Sequence, residues 1–350
     1  MNTTWREIKG IYGKHSLFIT DKKLVKDLCD YELPDGHGLK ILKGSTWQTT
    51  PIKEAAVIQN IFWINNLSAR VKDIIKVKLG ENIHFAQVTE VIPDKLPKLE
   101  FDNVNKKVLG NFENVLNKNH IEKYNGKHGE LLSGYNWRKK NGKLLMIDFG
   151  GYKFFDEKQY KRDLIKKIVS VTHFGKAYEG AKASYQSFDD WGLVGKRKTS
   201  YRLEKMGLGK EDFKGKSVMD LGCNLGLMLH YAHDRGATKL VGYDFENIVG
   251  VAREFANFRN KFKIDFHVKD LSKGLPKEKH DIVFYLAMSE YLGYPKELAE
   301  ITKEVLYYEG HASNDMEEAQ RELSKLFKVV TPLGHTNDRS ERPILVCRHG

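Results

Sequence analysis

The stretch Ser217-Val-Met-Asp-Leu-Gly-Cys-Asn-Leu-Gly226 constrains this chain more than any other. Ser217 to Leu221 reads as a short buried parallel strand, an apolar run of strand length bounded by turn residues. Gly222-Cys-Asn-Leu-Gly226 is a tight turn, and Leu227 to Asp234 opens a helix. A strand carrying an acid near its end, running through two glycines into a helix N-terminus, builds a seat for a nucleotide-like ligand. The glycines let the backbone approach the ligand, and the free N–H groups of the helix end carry partial positive charge. The spacing is Gly-x-x-x-Gly and not Gly-x-Gly-x-x-Gly, so a pyrophosphate is not the favoured guest.

Two further strands end in acids. Lys239-Leu-Val-Gly-Tyr-Asp244 follows one helix later, and a carboxylate at that tip can accept both hydroxyls of a ribose. After a helix over 248–260 comes Lys263-Ile-Asp-Phe-His-Val-Lys-Asp270. In combination, Asp220-Leu-Gly-Cys-Asn-Leu-Gly226, Asp244 and Asp270 resemble the cofactor site of class I S-adenosylmethionine-dependent methyltransferases. The resemblance covers residues 185–348. It implies an α/β fold with a doubly wound, mostly parallel Rossmann-like sheet, and S-adenosyl-L-methionine as cofactor. It further implies that Asp220, Gly222, Asn224 and Gly226 shape the cofactor pocket. Asp244 would hold the ribose beside Phe245, Asp270 and Leu271 would face the adenine, and Leu286 would end the strand toward which the sulfonium points.

The segment Tyr185 to Arg202 precedes the first strand of this half. In similar methyltransferases it folds over the cofactor and forms one wall of the substrate pocket. Arg197 or Arg202 could then pair with the carboxylate of the cofactor's methionine part, because a guanidinium fork fits a carboxylate. Tyr185 and Trp191 either line the pocket or simply pack. Between Asp270 and the strand over 280–286 the usual helix is short or missing. The strand over 305–309 leads into Gly310-His311, a helix follows over 315–327, and 328–331 with 342–347 form a closing antiparallel pair.

Methyl transfer is a direct displacement at carbon, so the protein mainly aligns the acceptor and, for a hydroxyl, removes a proton. Glu290, Glu309 and His311 are the candidate bases at the carboxyl edge of the sheet, and His311 has the pKa suited to neutral pH. A histidine two residues past a strand serves equally well as a structural hydrogen-bond donor. No Asn-Pro-Pro-Tyr clamp follows Leu286, which argues against methylation of exocyclic base amines. No His/Glu cluster of metal-ligand type lies there either, so no metal is expected in the transfer step.

The first half has another character. Residues 1–50 alternate short apolar runs with turn residues, in the manner of strands and hairpins. The strand Gly38-Leu-Lys-Ile-Leu-Lys43 is followed by a helix from Pro51 with an apolar stripe of Ala55, Ile58, Ile61 and Phe62. Two strands over 71–77 and 84–92 come next, and later Lys143-Leu-Leu-Met-Ile-Asp148-Phe149-Gly150. This order resembles a protein-kinase-like α+β fold, in which a strand lysine and a helix glutamate hold ATP phosphates and the Asp of Asp-Phe-Gly holds magnesium. The resemblance makes Lys40 the phosphate lysine, Glu54 its partner and Asp148 the metal ligand. His128-Gly-Glu130 with Asn136 stands for the catalytic loop. The departures are specific: Glu130 replaces an aspartate, Asn136 falls one residue late, no glycine-rich loop precedes Lys40, and the stretch after Gly150 is short.

The chain thus divides into a kinase-like domain over 1–157, a basic connecting helix over 158–184 and a methyltransferase domain over 185–350. Its formal net charge of +12 is lopsided, with about +10 before residue 176. Arg138-Lys139-Lys140 and Lys161-Arg162 with Lys166-Lys167 are either a solvated surface or a track for an anionic partner such as RNA. Three scattered cysteines, no apolar run of about 20 residues and no signal-peptide pattern point to a cytoplasmic protein without a membrane span. The reading is an S-adenosylmethionine-dependent O-methyltransferase for a hydroxyl of a sugar, glycan or small molecule, coupled to phosphorylation by a Mg–ATP-using first domain. The alternatives are a transfer-RNA methyltransferase whose basic half binds RNA, and a non-catalytic scaffold that binds both cofactors.

Overall fold

The computed structural model describes residues 11–12, 16–42, 52–79, 82–92, 105–123, 137–147, 149, 151–172, 184–193, 195–197, 199–336 and 341–350. The chain divides into two units, Met1–Arg162 and Asp163–Gly350.

The first unit is built on an antiparallel sheet of β1 (Ile11–Tyr12), β2 (Ser16–Ile19), β3 (His37–Leu42), β4 (Val71–Leu79) and β5 (Asn82–Glu90), in the order β1-β2-β3-β5-β4. Side chains alternate across a strand, so Leu17 with Ile19, Leu39 with Ile41 and Ala86 with Val88 share one apolar face. Where the sequence reads as strands and turns, Lys22–Cys29 instead forms a helix, α1. The Asp21 side chain caps it by accepting the Leu24 N–H at 3.0 Å, and Asp30 ends it with a φ of 49°. This local capping chemistry outweighs the turn signals around it.

Helix α2 (Ile52–Ile64) is buried without a break from Ala55 to Phe62, so it is a core helix and not a one-stripe surface helix. Its two buried amides are satisfied by backbone. Gln59 donates to Ala69 O at 3.0 Å, while Asn60 donates to Val71 O at 2.9 Å and accepts Val71 N–H at 2.7 Å. Helix α3 (Asn105–Lys118) brings Phe112 against Phe62 and Phe149, with ring centroids 4.2 and 6.3 Å apart. Strand β6 (Ile121–Lys123) pairs with β9 (Tyr152–Phe154), and β7 (Trp137–Lys140) forms a hairpin with β8 (Lys143–Met146). Helix α4 (Glu157–Thr172) contains the division between the units.

The second unit opens with a parallel pair, β10 (Ser184–Gln186) and β11 (Gly195–Arg197), then α5 (Thr199–Met206) and α6 (Lys210–Phe213). Its main sheet holds β12 (Ser217–Leu221), β13 (Lys239–Asp244), β14 (Ile264–Val268), β15 (His280–Leu286), β16 (Thr302–Glu309), β17 (Val329–His335) and β18 (Pro343–Arg348). The order is β14-β13-β12-β15-β16-β18-β17. The first five strands in that order run parallel, and β18 is antiparallel to both neighbours. Helices α7 (Leu227–Asp234) and α8 (Glu246–Phe258) connect the strands on one side of β12. The short helices α9 (Ser289–Leu292) and α10 (Glu297–Ile301) precede β16, and α11 (Met316–Leu323) precedes β17. Both faces of the sheet are covered by apolar clusters, which is why β12 is buried at all five positions. Among the described residues no helix is long and apolar enough to cross a membrane.

Candidate functional site

From β12 the chain winds outward through β13 and β14, then returns to the other side of β12 to lay down β15 and β16. In open α/β sheets ligands bind outside the carboxyl ends of the strands at such a reversal, which here falls at β12 and β15. The glycine turn lies there. Gly222 and Cys223 donate their N–H groups to Tyr243 O at 2.9 and 3.1 Å, and Asn224 donates to Asp244 Oδ2 at 2.8 Å. Gly222 and Gly226 have φ values of 70° and 76°, which favour glycine. A Cβ on Gly226 would also lie 2.6 Å from the Phe266 ring.

Asp244 holds the far side of the turn. Its Oδ1 accepts the Phe245 N–H at 2.8 Å, while Phe245 itself is 60 % exposed. Burial raises the Asp244 carboxyl above its ordinary range against the pull of these two N–H groups. Asp220 is deeper. Burial pushes its pKa to about 8, with Arg202 opposing the rise and Asp244 adding to it. Asp270 has a local task as well: it caps the turn Leu271–Lys273 by accepting Ser272 N at 3.1 Å and Ser272 Oγ at 2.6 Å. Leu271 and Leu286 are buried behind it.

The segment ahead of β12 reaches the same edge. Gln186 Nε2 donates to Cys223 O at 3.4 Å, which seats β10 on the glycine turn. Tyr185 is half-buried on that strand. Trp191 follows the packing alternative, its ring centroid 4.8 Å from Phe255 and 5.8 Å from Phe258. Arg197 and Arg202 converge on Glu309, at 3.0 Å from Oε1 and 3.0 Å from Oε2 respectively, and Arg342 Nη1 lies 3.5 Å from Oε1. All four side chains are buried. Glu309, a candidate base from the sequence, is thus a buried carboxylate ringed by three guanidinium groups.

Glu290 and His311, taken from the sequence as separate candidates, come together. His311 Nδ1 lies 3.2 Å from Glu290 Oε2, with both side chains partly exposed. Burial lowers the imidazole's pKa, as do Arg342 and Arg197, against an opposing effect of Glu290. Sequence reasoning missed Gln186, Arg342, Met288 and Asn314. Met288 packs on Gly222, next to Ala287 at a φ of 57°. Asn314 Oδ1 accepts both Ser289 Oγ, at 3.0 Å, and the His311 N–H. For Arg342 the signal was strand pairing: Glu309 pairs with Ile344, two residues further on.

In the first unit, Lys40 Nζ donates to Ile147 O at 3.4 Å, and Glu54 Oε1 accepts the Phe154 N–H at 2.9 Å. The contacts described for these two side chains therefore run elsewhere than to each other. Glu130, Asn136 and Asp148 lie outside the described residues. No cluster of three or more His, Cys, Asp or Glu side chains suited to a metal occurs among the described residues.

The second unit fits S-adenosylmethionine. Its glycine turn carries Gly222 and Gly226 at φ values of 70° and 76°, Asp244 closes that turn from the tip of β13, and three buried guanidinium groups against one carboxylate leave positive charge for another carboxylate. Sheet order and turn together define a class I methyltransferase fold. Residues 219–314 match the family model described as a methyltransferase domain, which is the class of domain that the second unit carries. It is 29% identical over 151 residues to protein arginine N-methyltransferase 1 of Saccharomyces cerevisiae, covering 41% of this chain and 42% of that protein. It is 30% identical over 127 residues to the ubiquinone biosynthesis O-methyltransferase of Neisseria meningitidis, covering 33% of this chain and 53% of the relative. The chain thus spans about half or less of these relatives' length. Among solved structures it resembles the bifunctional kinase-methyltransferase WbdD, with a TM-score of 0.41, 20% identity, and 53% and 46% of the two chains covered. It also resembles magnesium protoporphyrin IX methyltransferase from Synechocystis, with a TM-score of 0.39, 15% identity, and 55% and 97% covered.

Proposed function

We propose that this protein methylates a hydroxyl oxygen on a sugar, glycan or other small-molecule acceptor. S-adenosylmethionine, when bound, supplies an electrophilic methyl group and a neutral thioether leaving group. The chain's own residues do the rest. Asp244 holds the ribose, Gly222 and Gly226 admit the donor to the backbone, and Arg197 with Arg202 face its carboxylate. His311 removes the acceptor's proton. The observation that carries this reading is the His311–Glu290 contact of 3.2 Å at the carboxyl edge that also bears the glycine turn. The ubiquinone-pathway relative is by its name an O-methyltransferase, which supports oxygen as the acceptor atom. The test is transfer of isotope-labelled methyl from the donor to a panel of hydroxylated acceptors, comparing wild type with His311→Gln. Label incorporation that survives His311→Gln undiminished would overturn the assignment of the base.

For the first unit we infer a nucleotide site built on Lys40, Glu54 and Asp148, with phosphorylation coupled to methylation. The placement of Lys40 on β3 and Glu54 on α2 supports this reading. Calorimetry with Mg–ATP on wild type and Asp148→Asn tests it, because only the wild type should bind. The basic surplus before residue 176 supports a second reading, in which this half docks RNA. That reading predicts a gel shift that weakens steeply with salt.

A further inference from the structure

The contacts around His311 are more specific than a base alone requires. Glu290 lies in α9, which follows β15, and His311 follows β16, so the two come from different strand ends. One atom ties those ends together: Asn314 Oδ1 accepts both the Ser289 hydroxyl and the His311 backbone N–H. Ser289 is anchored in turn on the buried Tyr308 hydroxyl at 2.9 Å, and Tyr308 on Tyr294 at 3.2 Å. Asn314 N–H donates back to His311 O at 3.0 Å, closing the loop on itself. Ser289, the neighbour of Glu290, and the His311 backbone are therefore joined through Asn314, and His311 Nδ1 lies 3.2 Å from Glu290 Oε2. Its other oxygen, Oε1, accepts Ser313 Oγ at 3.4 Å.

We propose that Glu290 is a positioning residue for His311, and that Asn314 fixes the spacing between them. The carboxylate holds the imidazole as its Nδ1–H tautomer and leaves the Nε2 lone pair as the base. Free imidazole side chains favour the opposite tautomer, so the arrangement has to be imposed by a partner on Nδ1. A carboxylate that orients a catalytic imidazole in this way is a general device of base catalysis. The inference rests on the hydroxyl reading above and deepens it: the acceptor oxygen enters still carrying its proton. As that oxygen bonds to the methyl carbon, its proton passes to Nε2, and the electron pair of the breaking carbon–sulfur bond stays on sulfur. The imidazolium then returns the proton to water. Burial of the ring is the main influence favouring a neutral imidazole between turnovers. Arg342 and Arg197 disfavour the cation, while Glu290 and Glu309 favour it, and the Tyr291 ring covers one side with its centroid 6.4 Å away.

Imidazole nitrogen NMR on the full chain tests this without an acceptor, with the His311 signals assigned by their loss in His311→Gln. The wild type should show Nδ1–H and a bare Nε2. Glu290→Ala should shift His311 toward the Nε2–H tautomer, and Asn314→Ala should do so partially, while donor binding by calorimetry stays within about twofold. Glu290→Gln is the gentler variant: an amide oxygen can still accept from Nδ1, so the tautomer should persist while the ring's pKa falls. An Nε2–H tautomer in wild type that binds donor would overturn the proposal, as would an unchanged tautomer in Glu290→Ala. Failure of donor binding in wild type would instead overturn the methyltransferase reading beneath it.

Discussion

The backbone N–H of Asn224 points at Asp244 Oδ2 across 2.8 Å, so the tip of β13 grips the glycine turn that leaves β12. Asp244 thus closes the turn, and under the proposed function it also holds the ribose. Asp244→Ala should weaken donor binding roughly tenfold or more, the scale of losing a charge-assisted hydrogen bond. Calorimetric titration with donor measures it, and an unchanged affinity would remove Asp244 from the site.

Gly226 meets two constraints at once, a φ of 76° and the Phe266 ring 2.6 Å from where a Cβ would stand. Gly226→Ala should cost roughly 1–2 kcal/mol for the left-handed backbone alone, plus the displacement of Phe266. Urea unfolding should show a lower midpoint at similar slope, and donor binding should fall with it. A variant as stable as wild type would mean that the turn rearranges freely.

Glu309 is the hub of Arg197, Arg202 and Arg342. Glu309→Ala leaves three guanidinium groups buried without a carboxylate, and should destabilise the protein by about 3–5 kcal/mol. If Glu309 were instead a base, the variant would lose turnover and keep its stability. Thermal unfolding separates the two outcomes.

Asp220 gives the second unit a pH signature. An unfolded aspartate titrates near about 3.9, whereas in the fold burial holds the Asp220 proton up to about pH 8. Between those values the folded state binds the extra proton. The contribution to stability is therefore most favourable at the acid end of the window and declines as pH rises toward 8. Asp220→Asn should flatten that slope in urea unfolding at pH 5 and pH 8, and an unaltered slope would contradict the assignment. A cationic donor favours the ionised carboxylate, so donor binding near pH 7 should release protons, seen as a buffer-dependent heat.

The parts of the site that lie within a few residues of a strand end were legible from the sequence. Asp220, Asp244 and the glycines are local features, and the strand–turn–helix pattern carries them wherever it occurs. What depends on register was not legible. The arginine ring around Glu309 could not be read from the sequence because Arg342 arrives through the antiparallel β18. Nothing near Asn314 in sequence marks it as the link between Ser289 and His311. In the first unit, β3 to β5 followed their alternating apolar residues. Helix α1 was read as strand and turn because eight residues with one buried position, Val25, give a weak helical period. Helix α2 was found, but its burial on all sides was not, since Gln59 and Asn60 look like a polar face until their partners Ala69 and Val71 are known.

Strand β18 is made after β17 yet lies between β17 and β16. A growing chain that has already produced Val329–His335 has no neighbour for it in the sheet until Pro343–Arg348 emerges and slips into the gap. Arg342 stands at the head of that late strand, so the third guanidinium reaches Glu309 only after β17 has been made. A nascent chain stalled short of residue 342 would therefore carry Glu309, Arg197 and Arg202 without the third guanidinium that joins them.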